Sequence, residues 1–589
     1  MLKDDPLANV LIVDLTKKRF RVERREDLFS QHIGGAGVAI QLLDELCPQG
    51  CDPLAPDNPI IFAVGPSTAL FPLASKTVAM FKSPHTGNLG ESHCGGRSAV
   101  AIRMAGFGAI VIQGASSLPV YLAVHDGKVY FRDASTLWGM GSSITPGRII
   151  RTSEPGAGLR TIMRIGIAGE KLIPYACVTT ETYRHFGRLG LGAVFGSKKL
   201  KAIAISGRRS LPVADKKQYR QVYDEIHRAA VDSPVMKKYH DLGTPENVLP
   251  LNALRALPTR NLQSAQFEGA EAISGEAMAE HYLGRRLACS HCPVACIHIA
   301  ALREPHPKEP YFYKTSMIAY DYEPTYALGS MLGIADPVGM LKLMDRVEAV
   351  GLDAMTTGVV LAWATEAQQR GLVGTTETAG LTLSFGDADS YIQAVDLIVT
   401  QPTEFYRHLA RGVDAAAQRY GGLEFALSMG GNEMPGYHTG PGAHLGFLVG
   451  ARHSHLDNAG YSIDQKNLVQ QLVPPGELVR MIVAEERWRQ VLSSLVICFF
   501  ARGIYQPELV TRVLQASGFE LSAEDLERIG TVIHREKYRF KLREGFSVDE
   551  LRLPKRLFET PATVGGWDQA YMREALRCFR ESILDQQGQ

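Results

Sequence analysis

Three cysteines stand within eight residues, in Cys289-Ser290-His291-Cys292-Pro293-Val294-Ala295-Cys296. Thiolates at this spacing can converge on one centre from a single tight loop, and four chemistries compete for them. Structural zinc is usually held by paired CxxC units, whereas here the third cysteine follows after three residues and no second pair comes later. A radical-SAM site runs its cysteines in the opposite spacing, CxxxCxxC. A thioredoxin-like redox centre has no use for the third thiol. A [4Fe–4S] cluster needs four thiolates, and the fourth is often drawn from far along the chain. The expectation is a cluster, with zinc as the main alternative.

The fourth ligand has several candidates. Cys498 lies in Ser494-Leu495-Val496-Ile497-Cys498-Phe499-Phe500, the apolar end of a long helical pattern, where a low dielectric suits a cluster. A core cysteine would look the same, because free Cys is among the most buried residues. Spacing alone does not choose.

A second chemical signal is Gly190-Leu191-Gly192-Ala193-Val194-Phe195-Gly196. Its spacing is GxGxxxG and it precedes a strand, so it is not the dinucleotide fingerprint. Gly196-Ser197-Lys198-Lys199 does not complete a Walker A loop either. What remains is a glycine-rich turn flanked by Arg184, Arg188, Lys198, Lys199 and Lys201, which could approach an anion or simply pack tightly.

These residues must be placed by larger elements. Asn9–Leu15 and Arg19–Glu23 read as a hairpin, and Val120–His125 and Lys128–Phe131 flank the turn dipeptide Asp126-Gly127. Further strands are predicted at Ile60–Val64, Thr77–Phe81, Gly108–Gln113 and Lys201–Ser206. Beyond Arg208–Asp215 helical periodicity takes over: Lys216–Ala230, Ser274–Arg286, Pro337–Val350, Thr356–Arg370, Thr403–Tyr420, Gly476–Phe500 and Ala523–Lys541. The organisation is α+β: a β-rich domain over 1–210, then helical domains over 211–420 and 421–589.

Composition excludes some functions. Lys and Arg number 63 and Asp and Glu 62, a net charge of +1, which argues against a general nucleic-acid or anionic-membrane binder. The first apolar run, Asn9 to Leu15, is short and carries Asp14, unlike a signal segment. The longest apolar stretch, Pro59 to Ala74, contains three prolines and a glycine and falls short of the roughly 20 residues of a spanning helix. Nine cysteines, an odd number without an export signal, point to a reducing compartment. No membrane span and a cytoplasmic location are expected.

The chain resembles the aldehyde:ferredoxin oxidoreductase family, the tungsten (sometimes molybdenum) bis-pterin enzymes. The segments that carry the resemblance run nearly the whole length: Asn9–Thr16, Lys82–Gly87 followed by Gly95-Gly96, Ile165–Glu170, Gly192–Ala204, the CxxCxxxC loop, Gly351-Leu352-Asp353 and Leu553–Arg556. The resemblance implies an N-terminal base of two β-sheets under two pterins, closed over by two helical domains. It implies a [4Fe–4S] cluster on Cys289, Cys292, Cys296 and, by match, Cys498. It also implies a Mg2+ ion bridging the pterin phosphates, a ferredoxin or separate iron–sulfur subunit as electron acceptor, and a homodimer. The ExxH pair that binds an interfacial iron in some dimeric members is here Lys342 and Asp345, so that iron is not expected.

Carried over residue by residue, the pterin-gripping DxxGLD motif appears as Glu348, Leu352 and Asp353 within Glu348–Asp353. The second, DxxGLC, appears as Ser493, Ile497 and Cys498, with serine in place of the leading aspartate and hence no charge. Lys76 matches an arginine between cluster and pterin, keeping the charge and losing the planar fork. Gly95, Gly96, Arg184, Gly187 and Arg188 match the cradle of the pterins, and the glycine-rich turn is then read as anion-binding. Near the metal the resemblance points to Glu323 and to His455, favoured over His453. A Glu323 whose pKa is raised by burial would accept a proton, and His455 would hydrogen-bond the carbonyl oxygen. The implied reaction is oxidation of an aldehyde to a carboxylic acid. Two alternatives stand beside it: a low-potential tungsten reductase acting on a substrate such as an aromatic thioester, for which Ser493, His93 and an altered 434–440 segment leave room, and a non-catalytic iron–sulfur or zinc-binding subunit.

Overall fold

The apolar runs between Asn9 and Ile205 become two six-stranded sheets in the computed structural model, which describes residues 3–156, 160–181, 183–306, 308–467 and 472–587. The first comprises β1 (Asn9–Asp14), β2 (Arg19–Arg24), β3 (Ile60–Ala63), β4 (Thr77–Lys82), β5 (Leu89–Cys94) and β6 (Ala109–Gln113), in the order β2-β1-β6-β3-β4-β5. The second comprises β7 (Val120–His125), β8 (Lys128–Asp133), β9 (Thr161–Ile165), β10 (Val178–Thr179), β11 (His185–Phe186) and β12 (Leu200–Ile205), ordered β11-β10-β9-β12-β7-β8. The β7–β8 hairpin turns at Asp126 (φ 54°) and Gly127 (φ 72°), the left-handed pair that a tight two-residue turn requires.

Side-chain alternation explains why these strands read as unbroken apolar runs. Leu11 and Val13 of β1, Ile60 and Phe62 of β3, and Ile203 and Ile205 of β12 share a core between the two sheets. Val10, Ile12, Ile61 and Ala63, one residue out of step, face the larger core with the helices. Both faces are buried, so both registers must be apolar. Phe62 bridges the sheets, with its ring 5.4 Å from that of Phe186.

The helices start where side chains can accept from the free N–H groups of their first turns. Asp215 accepts from Lys217 and Gln218 ahead of Lys216–Val231, and Asp336 precedes Pro337–Val350 with proline at the first helical position. Ser522 and Asp525 form a capping box for Ala523–Arg543.

Three predicted helices differ in the structure, two ending early and one broken in the middle. Ser274–Arg286 is a helix only over Gly275–His281; β13 (Leu283–Leu287) follows and pairs with β14 (Ile297–His306), which pairs in turn with β15 (Glu309–Tyr320). This three-stranded sheet competes for residues that helical periodicity alone would claim. Thr403–Tyr420 is two helices, Glu404–Leu409 and Val413–Tyr420, broken at Gly412 with φ 104°. Gly476–Phe500 ends at Ser494, because Val496 takes φ 55°. Cys498 therefore lies in a loop beyond the helix. The helix end approaches so closely that a Cβ on Gly35 would sit 2.2 Å from the Ser493 carbonyl oxygen. Among the described residues no single helix is long and apolar enough to cross a membrane.

Candidate active site and metal centre

The CxxCxxxC loop is the connection between β13 and β14, and two left-handed residues, His291 (φ 57°) and Ala295 (φ 52°), curl it. It is pinned to the N-terminal sheets by backbone bonds: Ser290 N–H donates to Gly96 O at 2.9 Å, and Leu73 N–H donates to His291 O at 3.0 Å. Leu73 then accepts from Cys498 N–H at 2.9 Å, and Lys76 N–H donates to Val496 O at 3.2 Å. One short segment, 73–76, thus holds the cysteine loop on one side and the Cys498 loop on the other. The four thiols act on one another. Burial first, then the charges of Cys289 and Cys498, push the Cys296 thiol up to about 12; Cys292 is raised by burial and the same two thiols. No three His, Cys, Asp or Glu side chains among the described residues converge as ligands of a single ion.

Gly95 and Gly96 meet this centre directly. A Cβ on Gly95 would lie 2.9 Å from Cys289 Sγ and 3.3 Å from Lys76 Nζ, and Gly96 N–H donates to Cys289 Sγ at 3.1 Å. Burial pushes the Lys76 ammonium down, but the thiols of Cys498 and Cys289 more than offset it, so its pKa is raised. Lys76 is also in the wall of the adjoining cleft.

That cleft consists of two cavities of about 350 and about 200 Å³ that share Lys76, His93, Arg184, Gly187, Arg188 and Glu323 in their walls. The larger reaches Ile497 and Cys498; the smaller reaches Gly95, Glu348, Leu352 and Asp353. Asp353 caps the Ala354–Gln369 helix through Met355 N–H and also accepts from Arg188 Nε at 3.1 Å. Arg188 Nη2 donates to Glu433 O, while its buried Nη1 has no partner among the described residues. Among the described residues a Cβ on Gly187 would meet nothing nearer than 4.0 Å, and Gly187 lines both cavities. Ser493 is buried outside both cavities. The glycine-rich segment is not the turn that the sequence suggested: Leu191–Ser197 is a helix, and Gly192 and Gly196 pack against the carbonyls of Cys177 and Gly169. Lys198 and Lys201 are spent on Pro56 O, Gly114 O and Glu170, leaving Arg184 and Arg188 to face the cleft.

Glu323 lies in the first turn of the Tyr322–Leu328 helix, and His455 Nε2 comes within 3.0 Å of its Oε1. Tyr437 O–H donates to the same oxygen at 3.4 Å. His453 instead sits in the core, with Nδ1 against Phe447 O and Nε2 against Lys541 Nζ. A raised Glu323 pKa does not materialise. Burial pushes it up, but the hydrogen bond and charge of His455 outweigh burial, and the carboxyl is held below its usual range. The raised neighbour is Asp321, through burial and the Glu323 charge, although Arg184 Nη1 lies 3.2 Å away.

Among the cleft residues, Glu91, Tyr239 and Tyr461 are not ones that the sequence singled out. Glu91, in β5, accepts from His93 Nε2 at 2.7 Å and pairs with Lys537 Nζ at 2.5 Å. Burial, then the Arg452 charge, lowers His93 to about 4, so its imidazole is neutral near pH 7. The two-residue spacing of Glu91 and His93 along one strand was the available signal; their partner Lys537 lay over four hundred residues away. Rings also line the larger cavity: Tyr437 stacks on Tyr461 at 4.4 Å, and Tyr239 on Phe500 at 4.4 Å.

Comparisons with known proteins match nearly the whole length of the chain. The family profile for the N-terminal domain of aldehyde ferredoxin oxidoreductase matches residues 10–207, and that for its domains 2 and 3 matches residues 221–583. Over 570 residues the chain is 32% identical to the tungsten-containing aldehyde ferredoxin oxidoreductase of Thermococcus kodakarensis, covering 94% of this chain and 92% of that protein. An aliphatic sulfonate oxidoreductase, WOR-like subunit, of Pyrococcus furiosus is 31% identical over 409 residues, 67% of this chain and 64% of that one. Among solved structures, the active-site complex BamBC of benzoyl coenzyme A reductase, bound to 1,5-dienoyl-CoA, superposes with a TM-score of 0.81 at 20% identity, covering 98% of this chain and 94% of that one.

Proposed function

The chain belongs to the aldehyde ferredoxin oxidoreductase family, and on that premise we propose that it oxidises an aldehyde to the carboxylic acid. The cofactor is a tungsten–bis-pterin, and electrons leave through a [4Fe–4S] cluster to a ferredoxin or a separate iron–sulfur subunit. The observation that carries this reading is the Glu323–His455 pair, 3.0 Å apart, in a cleft that also reaches Lys76 and Cys498.

The residues present suit the groups. Cys289, Cys292, Cys296 and Cys498 would hold the cluster, for which four neighbouring, partly buried thiols are a fitting donor set. Arg184, Gly187 and Arg188 would hold the anionic pterin groups, the orphaned Arg188 Nη1 and the open space over Gly187 being what such a guest would fill. Glu348 and Asp353 would accept from pterin amines. Lys76 would keep a positive charge between cluster and cleft. When bound, the tungsten–pterin supplies a two-electron acceptor and the cluster a one-electron exit.

The chain's own part is proton handling and positioning. Glu323, kept ionised by His455, accepts the proton lost as water adds to the carbonyl carbon. With Nε2 on Glu323, His455 first orients that base and shares its charge; hydrogen bonding to the developing oxyanion falls to the same N–H as the carboxylate takes up the proton. Tyr437 O–H steadies the acceptor oxygen. The stacked rings of Tyr437, Tyr461, Tyr239 and Phe500 make a flat apolar wall suited to an aryl aldehyde. Anaerobically purified protein should reduce a viologen dye with aldehydes and release the carboxylate. Failure on every aldehyde would overturn the reading and turn attention to a reductase of the same cofactor.

A further inference from the structure

Outside the cleft, Cys47 and Cys51 bring their sulfurs to 3.5 Å across the turn that ends the Gly35–Leu46 helix. We propose that these two thiols are a reversible dithiol–disulfide site, closed by a small-molecule disulfide such as glutathione disulfide. A disulfide bond is ~2.05 Å long, so closure needs a movement of about 1.5 Å. The turn can supply it: Gly50 takes φ 71°, and nothing lies within 4 Å of where its Cβ would be. The pair is also differentiated. Cys47 is 3% exposed, while Cys51 is half-buried toward solvent. Burial first, then the hydrogen bond and charge of Cys51, push the Cys47 thiol up to about 12, so Cys51 is the sulfur that reacts first.

The exchange balances. The Cys51 thiolate attacks one sulfur of glutathione disulfide and expels one glutathione thiolate, giving a mixed disulfide. Cys47 then attacks the Cys51 sulfur; the Cys47–Cys51 bond forms, the bond to glutathione breaks, and the second glutathione leaves. Two protein thiols are oxidised, one glutathione disulfide is reduced, and the two thiol protons pass to the two glutathione thiolates.

The turn is fastened to the far end of the Ala523–Arg543 helix, through Arg543 Nη2 to Cys47 O at 3.0 Å and Gly50 N–H to Glu544 Oε2 at 3.1 Å. Glu544 also meets Lys82 of β4. The disulfide would therefore staple a junction between the first sheet and the helix that carries Lys537.

The test uses the full-length protein. Residues 26–76 form one tryptic peptide that contains Cys47 and Cys51 and no other cysteine. After incubation with glutathione disulfide, acid quench and alkylation, this peptide should lose both alkylation sites together and weigh two hydrogens less. Dithiothreitol should restore both sites. In Cys51→Ser, and equally in Cys51→Ala, Cys47 should stay open to alkylation. A glutathione adduct that persists on Cys51, both sites still alkylated after oxidation, or Cys47 bonded to another cysteine would each overturn the proposal.

Discussion

Glu323→Gln keeps the size of the side chain and removes the charge that His455 faces at 3.0 Å. It should lower kcat by about 10²–10⁴-fold, the usual worth of a positioned base, with iron and tungsten contents unchanged; an active variant would remove the proposed base. His455→Gln tests the electrostatics. Burial raises the Glu323 pKa and His455 brings it down. A base works only when ionised, so activity is present above its pKa and is lost as pH falls through it. In the native protein the same balance is expected to hold that acid limb lower than burial alone would place it. Without His455 burial prevails, and the acid limb of kcat/KM should move to higher pH. A limb that stays in place would show that His455 does not set the Glu323 charge.

At the scale of elements, the centre depends on close approach between β5 and the β13–β14 loop. Gly95→Ala would put a methyl carbon 2.9 Å from Cys289 Sγ. Iron per chain should fall well below that of the parent, and the iron–sulfur visible absorption with it. Gly565→Ala, at a position with nothing within 4 Å, is the matched control and should leave both unchanged. The shortened helix before Cys498 belongs to the same scale. By ending at Ser494 it frees Val496 O to accept from Lys76 and Cys498 N–H to donate to Leu73, and a helix continued to Phe500 would have committed those backbone groups to itself.

For the molecule as a whole, the composition of the purified protein is the broadest measurement. About four irons per chain, with tungsten and pterin, are expected. Zinc near one per chain in their place would favour the non-catalytic alternative. Within an aldehyde panel, aryl aldehydes should show higher kcat/KM than aliphatic ones of similar size, because the larger cavity presents stacked rings beside Glu323 and His455.

Periodicity and local chemistry were enough to find the cysteine loop, eight of the twelve described strands of the two N-terminal sheets and the helix at Pro337–Val350, because each depends on neighbours within a turn or a strand; β5, β9, β10 and β11, which are polar or very short, carried no such pattern. The matched motifs carried Glu323 and the candidate cradle in the same local way. The sequence was silent about the partners of those residues. That Leu73 holds both cysteine loops, that Lys537 holds Glu91, that Glu323 is lowered and not raised, and that Ser493 lies outside the cleft all depend on contacts between segments far apart in the chain. A pKa is set by burial set against charge at a few ångströms, and only the assembled sheets and helices decide which charge stands there.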